Sequence, residues 1–565
     1  MQANKSQISD IFNRDRLLEI PFFQRSYVWK EEQWERFLDD MVNISEETKP
    51  YFFGSLIFKQ QETPTRGGVG DVRTVIDGQQ RLTTLIIFYK VLSLKKGDHR
   101  MYQRFQLDES GVALSHSIND AKSFKKVTEL DELANLANAD FVDNIVNAYN
   151  FFNDRIDPDE INEDAIRQNA YFIVIDLSKD DDEQQIFDTL NSLGVRLTTA
   201  ELLKNFLFRR DDMHLYETHW LSVFEKDSET KKYWDREIYA GRDWRAFIDL
   251  FFFAYLQVKV QNESRHIKQK DREEFQKLEN LFSSYKKLMN DYGFNKESIL
   301  QEIGDYANLF RSNFDTDAVN VGLENSPGMQ RINTIIFGLD TTTLVPYILF
   351  VVANTKDNAQ RKDLFRAIES FIMRRLTVRS NNRGYSQLFL GMISERILTS
   401  GDFYEFIKNR SSAASLMPDN KELKDGFNNS NLTNKAALGV LYFIESHGRN
   451  EKYSVNLMGM AKYSLEHLMP KNWEKNWDKL EDPQKADERR KKLLTLGNLA
   501  MITQRLNASI RDSAWAAKKD GGLVRYASGI DIHRDFINES EWDEGKIAAR
   551  ANELFKKARK IWPLK

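Results

Sequence analysis

Short runs of aromatic and β-branched residues predict four extended segments in the first two hundred residues of the chain. These segments are 21–29, 51–58, 72–76 and 171–177. Such short apolar runs are typical of buried strands. Pro21 opens the first segment and discourages helix just before it, which favours an extended start.

Apolar residues at helical spacing predict a helix directly after the segment 72–76. Leu82, Leu85, Ile86 and Tyr89 share one face of a predicted helix over residues 79–92. Two capping boxes and one glycine stop predict further helix boundaries: Asp180 with Glu183, Thr198 with Glu201, and Gly194.

The pattern as a whole divides the chain into three predicted domains. A mixed domain covers residues 1–210, a mainly helical domain covers 211–425, and a mixed C-terminal domain covers 436–565. The polar, asparagine-rich stretch 408–434 is interpreted as a linker. A chain of 565 residues is too long for one hydrophobic core. The expected fold class is therefore α+β, with several domains.

Composition narrows the cellular setting and the chemistry. The chain has no cysteine, which excludes disulfides, thiolate zinc sites and cysteine nucleophiles. Its N-terminus lacks the apolar stretch of a signal peptide, and the apolar segment 250–256 is too short to span a membrane. We therefore expect a cytoplasmic protein with no membrane partner.

A net charge of −4 gives no overall attraction to nucleic acid, so any DNA contact must come from local basic clusters. Two candidates lie near the C-terminus: Lys485, Arg489, Arg490, Lys491 and Lys492, then Arg505, Arg511, Lys518, Lys519 and Arg525. The first cluster is equally compatible with a solvated helix face, because Asp487 and Glu488 are interleaved. Arg374 and Arg375 fit either a DNA contact or a structural role.

The segment Asp77-Gly78-Gln79-Gln80-Arg81 follows a predicted strand and opens a predicted helix. Such a junction presents free backbone N–H groups and the positive end of the helix dipole, which suit a phosphate. The two amides and the guanidinium could clamp that phosphate or read a base. The alternative is an ordinary turn whose polar residues face water.

Near the C-terminus, Glu466 and His467 are followed by Asn498 and Asn507, which lie 31 and 40 residues after the histidine. An imidazole can take a proton near neutral pH, and a hard divalent cation prefers oxygen ligands. These residues therefore suit metal-assisted phosphodiester hydrolysis. The alternative is a surface histidine in an ion pair with its neighbour.

Two strands and a helix are predicted around these residues: strands at 463–466 and 495–503, and a helix from Asn507 through Trp515. Adjacent side chains of a regular strand point to opposite faces, so Glu466 and His467 face one metal only if the strand ends there. Pro470 favours such an ending.

Three motifs in the N-terminal region resemble the GmrSD-type family. They are Pro21-Phe22-Phe23-Gln24-Arg25-Ser26-Tyr27-Val28-Trp29, Asp77-Gly78-Gln79-Gln80-Arg81, and the segment from Phe187 to Asn205 that contains Leu190-Asn191 and Glu201-Leu202-Leu203-Lys204-Asn205. The resemblance implies a ParB/sulfiredoxin-like fold. It also implies nucleoside triphosphate binding by Gln24, Arg25, Asp77, Gly78, Gln79, Gln80 and Arg81. Phe23 stands where the family often has tyrosine, so that hydroxyl is missing here.

At the other end, Glu466-His467-Leu468-Met469-Pro470, Leu496-Gly497-Asn498-Leu499 and Asn507 are similar to the HNH pattern of the ββα-metal nucleases, in the GmrSD C-terminal version. The resemblance implies that His467 is the general base and that Asn498 orients it. Glu466 and Asn507 would hold one Mg²⁺ or Mn²⁺, and Arg511 and Lys518 would contact DNA.

The leading hypothesis is a nucleotide-regulated, divalent-metal-dependent endonuclease that cleaves modified foreign double-stranded DNA. One alternative keeps the nuclease but makes it a phosphorothioate-sensing NTPase-nickase of a defence system. Another is a ParB-like DNA-binding regulator with a vestigial nuclease site. A homo-oligomer is compatible with each of them.

Overall fold

The computed structural model describes residues 2–13, 15–21, 24, 26–46, 49–61, 71–107, 111–116, 118–136, 143–178, 199–208, 212–240, 243–449, 452 and 456–564. They form a mixed α and β structure with two compact units, residues 1–218 and 219–565. The second unit holds both the helical region and the C-terminal region. The predicted helix boundaries at Asp180, Glu183, Gly194 and Thr198 lie outside the described residues. The division into three domains stays a prediction.

The first unit is built on a six-stranded sheet. In chain order the strands of this unit are β1 (Gln2–Gln7), β2 (Arg16–Glu19), β3 (Tyr51–Gln60), β4 (Asp71–Asp77), β5 (Gln106–Leu107), β6 (Gly111–Val112), β7 (Leu114–Ser115) and β8 (Ala170–Leu177). The sheet order is β1-β8-β3-β4-β2-β7. The pairs β1/β8 and β3/β4 are antiparallel, whereas β8/β3, β4/β2 and β2/β7 are parallel.

The helices of this unit cover the sheet. They are Ile8–Ile11, Glu31–Glu46, Gln79–Lys96, Arg100–Gln103, Ile118–Thr128, Asn144–Arg155, Glu163–Asn169, Thr199–Leu207 and Met213–Tyr216. The helix Gln79–Lys96 is buried on nearly all sides, from Leu82 to Ser93, and forms the middle of the core. Because it follows β4 directly, the junction at Asp77 to Arg81 is anchored on both sides by buried structure.

Three of the four predicted strands are confirmed, as β3, β4 and β8. The prediction for 21–29 is wrong: its described residues form no regular strand. Tyr27 explains the difference, because its contacts are with side chains rather than with a neighbouring strand. Its backbone N–H donates to Asp120 at 2.7 Å, and its hydroxyl contacts Thr84 at 2.6 Å and accepts from Trp34 at 2.8 Å.

The second unit is mainly helical. Its α-helices are Ser222–Phe224, Ser228–Trp234, Phe247–Asn262, Gln269–Phe275, Leu281–Asp291, Lys296–Asn313, Met329–Asn333, Val345–Asn354, Asn358–Thr377, Tyr385–Ser394, Ser400–Lys408, Asn420–Asn429, Asn434–Gly448, Pro483–Leu493, Gln504–Ile510, Trp515–Lys518, Val524–Tyr526, Arg534–Ile537 and Glu544–Ile561. Two antiparallel hairpins join them: β9 (Glu237–Ala240) with β10 (Asp243–Ala246), and β11 (Tyr463–His467) with β12 (Leu499–Thr503). No helix in the described part of the chain is long and apolar enough to cross a membrane.

The predicted linker 408–434 contains a helix, so that interpretation is wrong. Asp419 and Glu422 form a capping box at the start of the helix Asn420–Asn429. Leu423 and Phe427, four residues apart, are both buried. Two apolar residues at helical spacing within a polar stretch are enough to dock this helix.

The predicted strand, turn and strand at the C-terminus are present with shifted bounds. The first strand, β11, ends at His467, and the second, β12, begins only at Leu499 because residues 496–498 form a 3₁₀ turn. The helix Gln504–Ile510 starts three residues before Asn507 and ends before Trp515. The chain thus runs strand, strand and helix in space, while the ββα-metal and ParB/sulfiredoxin-like assignments stay predictions.

Candidate functional sites

The first candidate site is the junction between β4 and the helix Gln79–Lys96. Gly78 lies between them with a φ of 108°, and a Cβ there would lie 2.2 Å from a methyl carbon of Leu56, so only glycine fits. Among the described residues no side chain caps this helix, and its first turn contains no acidic residue. An anion at this end of the helix would lie at the positive end of the helix dipole.

Arg81 fixes the junction to the neighbouring strand. Its guanidinium donates to the Asp77 carboxylate at 2.8 Å and to the Ser55 carbonyl oxygen at 2.6 Å. Gly54 makes room for it, since a Cβ there would lie 3.0 Å from a guanidinium nitrogen. The side chain of Arg81 keeps 22% of its surface exposed, so one edge of the group still reaches solvent.

Two glutamines bring the segment around Tyr27 onto the same junction. The Gln24 amide donates to the carbonyl oxygens of Val75 and Ile76 at 3.0 and 3.1 Å. The Gln80 carbonyl oxygen accepts from the backbone N–H of Val28 at 2.8 Å. Each glutamine thus uses one polar atom of its side-chain amide, Gln24 Nε2 or Gln80 Oε1, in hydrogen bonds with the backbone. The second polar atom of each amide makes none of these bonds.

Three buried polar atoms at this junction have no hydrogen-bond partner among the described residues: Gln24 Oε1, Gln80 Nε2 and Arg81 Nε. Buried polar groups are rarely left unpaired, so a group of them points to a polar ligand or ordered water. The structure thus brings together Gln24, Asp77, Gly78, Gln80 and Arg81, with Gln79 buried at the start of the helix. Arg25 lies outside the described residues.

The second candidate site is the hairpin of β11 and β12. Glu466 pairs with Ala500 and His467 pairs with Leu499, and the regular ladder stops there. Beyond the strand end, the backbone N–H of Leu468 donates to the Asn498 carbonyl oxygen at 2.9 Å. His467 is therefore the last residue of its strand, as its predicted role requires.

Asn498 is fully buried and ties the loop after His467 to its surroundings. Its side-chain amide donates to the carbonyl oxygens of Met469 at 2.8 Å and Leu493 at 3.0 Å. Its carbonyl oxygen accepts from the Met469 N–H at 2.9 Å and from the Trp542 indole at 3.0 Å. The side chain uses both of its donors and both of its acceptor positions, so it acts as a structural bracket rather than a reactive group.

Asn507 and Glu466 face the same side of β11. The Asn507 amide donates to the Ser464 hydroxyl at 3.1 Å and to the Leu465 carbonyl oxygen at 2.8 Å. Ser464 and Glu466 are two residues apart on one strand, so their side chains share a face. Asn507 Oδ1 receives no hydrogen bond from any described residue, which leaves an oxygen turned away from the strand.

Lys518 differs from its predicted role at a phosphate. It is completely buried, its ammonium contacts the Glu466 carboxylate, and it also donates to the His467 carbonyl oxygen at 2.7 Å. The predicted contact of Lys518 with DNA is therefore wrong, because no part of the Lys518 side chain reaches the surface. Lys518 instead holds the end of β11 from within.

Burial disfavours the charged form of both Glu466 and Lys518. It raises the pKa of Glu466, with Lys518 opposing that rise, and it lowers the pKa of Lys518, with Glu466 opposing that fall. A buried ion pair whose desolvation exceeds its attraction adds little to stability. The pair is therefore better explained by the position it gives to Glu466 and His467 than by the stability it provides.

His467 is partly buried, beside positive charges. Burial, followed by the charges of Lys471 and Lys518, lowers the pKa of His467 to about 4. The imidazole is therefore neutral at pH 7, which is the state that can accept a proton. The Asp512 carboxylate opposes this shift and also acts on Glu466. Sequence reasoning missed Asp512; its only signal was its place directly after Arg511.

Lys471 is an exposed cation that acts on His467, and three arginines of the second basic cluster are exposed as well. Arg505, Arg511 and Arg525 are exposed. Arg511 ends the helix Gln504–Ile510 with a φ of 30°, a conformation that L-residues rarely adopt. Its predicted contact with DNA is compatible with this exposure.

The other basic groups are engaged within the protein. Arg489 pairs with Glu544, and Lys491 pairs with Asp487 at 2.8 Å, as the solvated-face alternative for the first cluster expects. Arg374 and Arg375 are buried and donate mainly to backbone carbonyl oxygens, including those of Trp562 and Asn381. Their role is structural.

Two family models match the chain. Residues 8–208 match the N-terminal domain of the GmrSD restriction endonucleases, and residues 417–557 match the C-terminal domain of the same enzymes. The first match contains the β4 junction and the second contains the hairpin of β11 and β12. A search of curated proteins gives no match.

Proposed function

The chain belongs to the GmrSD family of restriction endonucleases, and on that premise we propose that the hairpin of β11 and β12 cuts modified foreign DNA with a divalent cation while the β4 junction binds a regulatory nucleoside triphosphate. Family membership makes the protein a DNA endonuclease. The observation that carries the rest is the hairpin itself. His467 ends one strand, Asn498 brackets the loop beyond it, and Asn507 shares a face with Glu466.

His467 is the general base of this proposal. Its neutral imidazole takes a proton from the water that attacks phosphorus, and the cations near it favour the approach of a phosphate. Lys518 and Asn498 keep the imidazole in place by holding the His467 carbonyl oxygen and the backbone of Met469. Arg511 contacts the DNA backbone from the surface.

The residues around Glu466 fit a hard divalent cation. Lys518 contacts Oε1 of the Glu466 carboxylate, so Oε2 would be the metal ligand, and Asn507 offers a second oxygen on the same face. No group of three His, Cys, Asp or Glu residues suited to a metal occurs in the described part of the chain. Two protein oxygens, with water and substrate oxygens as the other ligands, suit Mg²⁺ or Mn²⁺. When bound, such an ion supplies charge stabilisation for the phosphorane and the leaving oxygen.

Two features of the β4 junction support nucleotide binding: a helix N-terminus without a side-chain cap, and three buried polar atoms with no partner among the described residues. The phosphates would lie at the first turn of the helix, with Arg81 beside them. Gln24 and Gln80 would each complete their hydrogen bonding with the ligand. In this proposal nucleotide binding regulates cleavage, which requires a coupling free energy between the two sites.

Plasmid cleavage tests the nuclease proposal. We expect cutting of modified DNA with Mg²⁺ or Mn²⁺, none with EDTA, and none by His467→Ala. His214→Ala, at an exposed histidine of the same chain, should cut like the wild type. Cleavage by His467→Ala would show that another group is the base.

The choice of DNA separates the hypotheses on the modification. Plasmids that carry glucosylated hydroxymethylcytosine, phosphorothioate linkages or no modification are compared under the same conditions. Preference for the phosphorothioate plasmid, with nicks as products, would support the nickase alternative. DNA binding that survives His467→Ala, with no cutting of any plasmid under any metal, would support a vestigial site.

Nucleotide binding is tested separately, because it does not depend on cleavage. Titration calorimetry with ATP and GTP should show binding by the wild type and a loss of affinity in Arg81→Ala. Arg104→Ala is the matched control, since Arg104 pairs with Glu163 elsewhere in the same unit. Unchanged binding by Arg81→Ala would remove the β4 junction as the nucleotide site.

A further inference from the structure

Arg550, on the helix Glu544–Ile561, is an arginine buried without a carboxylate partner. It is 1% exposed, and no carboxylate of the described residues forms an ion pair with it. Its terminal nitrogen Nη1 donates to the carbonyl oxygens of Gly497 at 2.9 Å, Leu499 at 2.7 Å and, more weakly, Leu496 at 3.4 Å. One guanidinium thus holds the backbone on both sides of Asn498.

The helix and this turn also meet by direct backbone contact. A Cβ on Gly497 would lie 2.2 Å from the Ile547 carbonyl oxygen and 3.1 Å from the Ala551 Cβ. Any side chain at Gly497 would therefore push the turn away from the helix. The close approach and the guanidinium contacts are independent features that fix the same four residues, Leu496 to Leu499, which we call the LGNL turn.

The LGNL turn also fixes the loop that follows His467, the proposed base. The Asn498 backbone oxygen accepts from Leu468, and its side chain both donates to and accepts from Met469. Leu468 and Met469 are the two residues directly after His467. A shift of the turn therefore moves the end of β11 with it.

A buried charge needs a reason. An unpaired guanidinium loses its hydration, and a well-packed apolar side chain of similar volume at such a place is often at least as favourable for stability. A charged donor, however, can hold several carbonyl oxygens, which an apolar side chain cannot do. All three contacts of Arg550 come from Nη1, while Nε and Nη2 are buried without a hydrogen-bond partner among the described residues. Among the described residues, the hydrogen bonds of Arg550 are all with the LGNL turn, and its guanidinium also lies 4.7 Å from the centre of the Phe536 ring. Burial lowers the pKa of Arg550, and the Asp535 carboxylate opposes that fall.

We infer that Arg550 is a positioning residue for DNA cleavage: it holds the LGNL turn against the helix Glu544–Ile561 and, through Asn498, sets the position of His467. This inference rests on the proposed nuclease function. It assigns a catalytic effect to a residue that contacts neither substrate nor metal.

The test combines hydrogen exchange with DNA-cleavage kinetics on the full chain. Arg550→Met removes the donors at similar volume, and Arg550→Lys keeps a charged donor group on a side chain one atom shorter. Gly497→Ala pushes the turn from the other side. Arg559→Met, at an exposed arginine of the same helix, is the control. Hydrogen exchange is measured at the backbone amides of Leu468 and Met469 and is compared with exchange in the rest of the C-terminal unit, which is the second unit, residues 219–565.

We expect Arg550→Met to speed exchange at those two amides and to lower kcat, each by about tenfold or more, as loss of charged hydrogen bonds predicts. KM for DNA should stay within about twofold, because the DNA-contacting surface is unchanged. Arg550→Lys should fall between Arg550→Met and the wild type. Gly497→Ala should show the same selective exchange, and Arg559→Met should match the wild type.

Unchanged exchange at Leu468 and Met469 in both Arg550→Met and Gly497→Ala would overturn the inference. Faster exchange spread evenly over the C-terminal unit in Arg550→Lys and Gly497→Ala would also overturn it, since that is general destabilisation. The exchange measurement needs no cleavage. A wild type that fails to cut DNA would therefore refute the proposed function while the exchange data still decide whether Arg550 holds the loop.

Discussion

Replacing Asn498 by alanine should destabilise the C-terminal unit and abolish DNA cleavage, although the residue takes no part in the chemistry. The side chain makes four hydrogen bonds, to Met469 twice, to Leu493 and to Trp542, at 2.8 to 3.0 Å. At a net value of about 1 kcal/mol for each bond, the loss is about 4 kcal/mol. The partners it leaves are buried and cannot all recover a bond to water, which keeps the cost near that figure.

Asn498→Asp gives a sharper version of the same perturbation. It keeps the shape and one carbonyl-like oxygen, so Met469 N–H and Trp542 retain their acceptor. The other oxygen then faces the carbonyl oxygens of Met469 and Leu493, where the amide used to donate. The aspartate variant should therefore be no more stable than the alanine variant, despite its closer shape.

The assay is urea unfolding at pH 7, followed by circular dichroism and tryptophan fluorescence, beside plasmid cleavage. Asn358→Ala, at an exposed asparagine, serves as the control and should change the free energy of unfolding by less than about 0.5 kcal/mol. A loss below about 1 kcal/mol in Asn498→Ala would refute the reasoning, because four buried hydrogen bonds could not then be holding the turn. Cleavage at the wild-type rate would refute the positioning role.

Three further outcomes follow from other contacts. Gly78→Ala should destabilise the N-terminal unit by about 1–3 kcal/mol in thermal unfolding, because the φ of 108° and the close packing exclude a Cβ; an unchanged midpoint would contradict this. Lys518→Met should cost about 3–5 kcal/mol by leaving Glu466 unpaired, and Lys518→Met with Glu466→Gln should recover most of the loss; equal losses in the single and double variants would contradict this. Glu369 forms a buried ion pair with Arg331, and this pair outweighs the effect of burial and lowers the pKa of Glu369 to about 2. The stabilisation from the pair is therefore complete above pH 4.5 and is lost as the pH falls towards 2. The stability gap between wild type and Glu369→Gln, measured by urea unfolding at several pH values, should shrink by about 3 kcal/mol over that range, and a constant gap would contradict the reading.

The fold was predictable from sequence where local pattern and packing agree. The strands β3, β4 and β8 contain runs of aromatic and β-branched residues, and that pattern predicted them. Residues 21–29 have the same composition, yet Tyr27 uses its hydrogen bonds on side chains of other elements. Composition cannot tell these cases apart, because the difference lies in tertiary partners.

The sequence predicted those site residues whose side-chain chemistry by itself suggests a role. Two strands and a helix were predicted around His467, Asn498 and Asn507, but Asn498 lies on a 3₁₀ turn and not in the predicted strand. The error at Lys518 and the omission of Arg550 have a common cause. A cation in a sequence looks the same whether it faces solvent or is buried against a carboxylate or a backbone turn. Burial is decided by packing, which no local pattern of charges records.

Each residue of the LGNL turn meets a separate structural demand. Leu496 is buried, Gly497 allows the close approach to Ile547, Asn498 brackets the loop, and Leu499 pairs with His467 in the hairpin. The motif is therefore specified mainly by packing and hydrogen bonding, while the proposed chemistry falls on His467 itself. It follows that His467→Ala should fold with the wild-type pattern of hydrogen exchange and fail only in cleavage, whereas Asn498→Ala should fail in both. A chain that kept the turn but lost the histidine would keep this architecture without the activity.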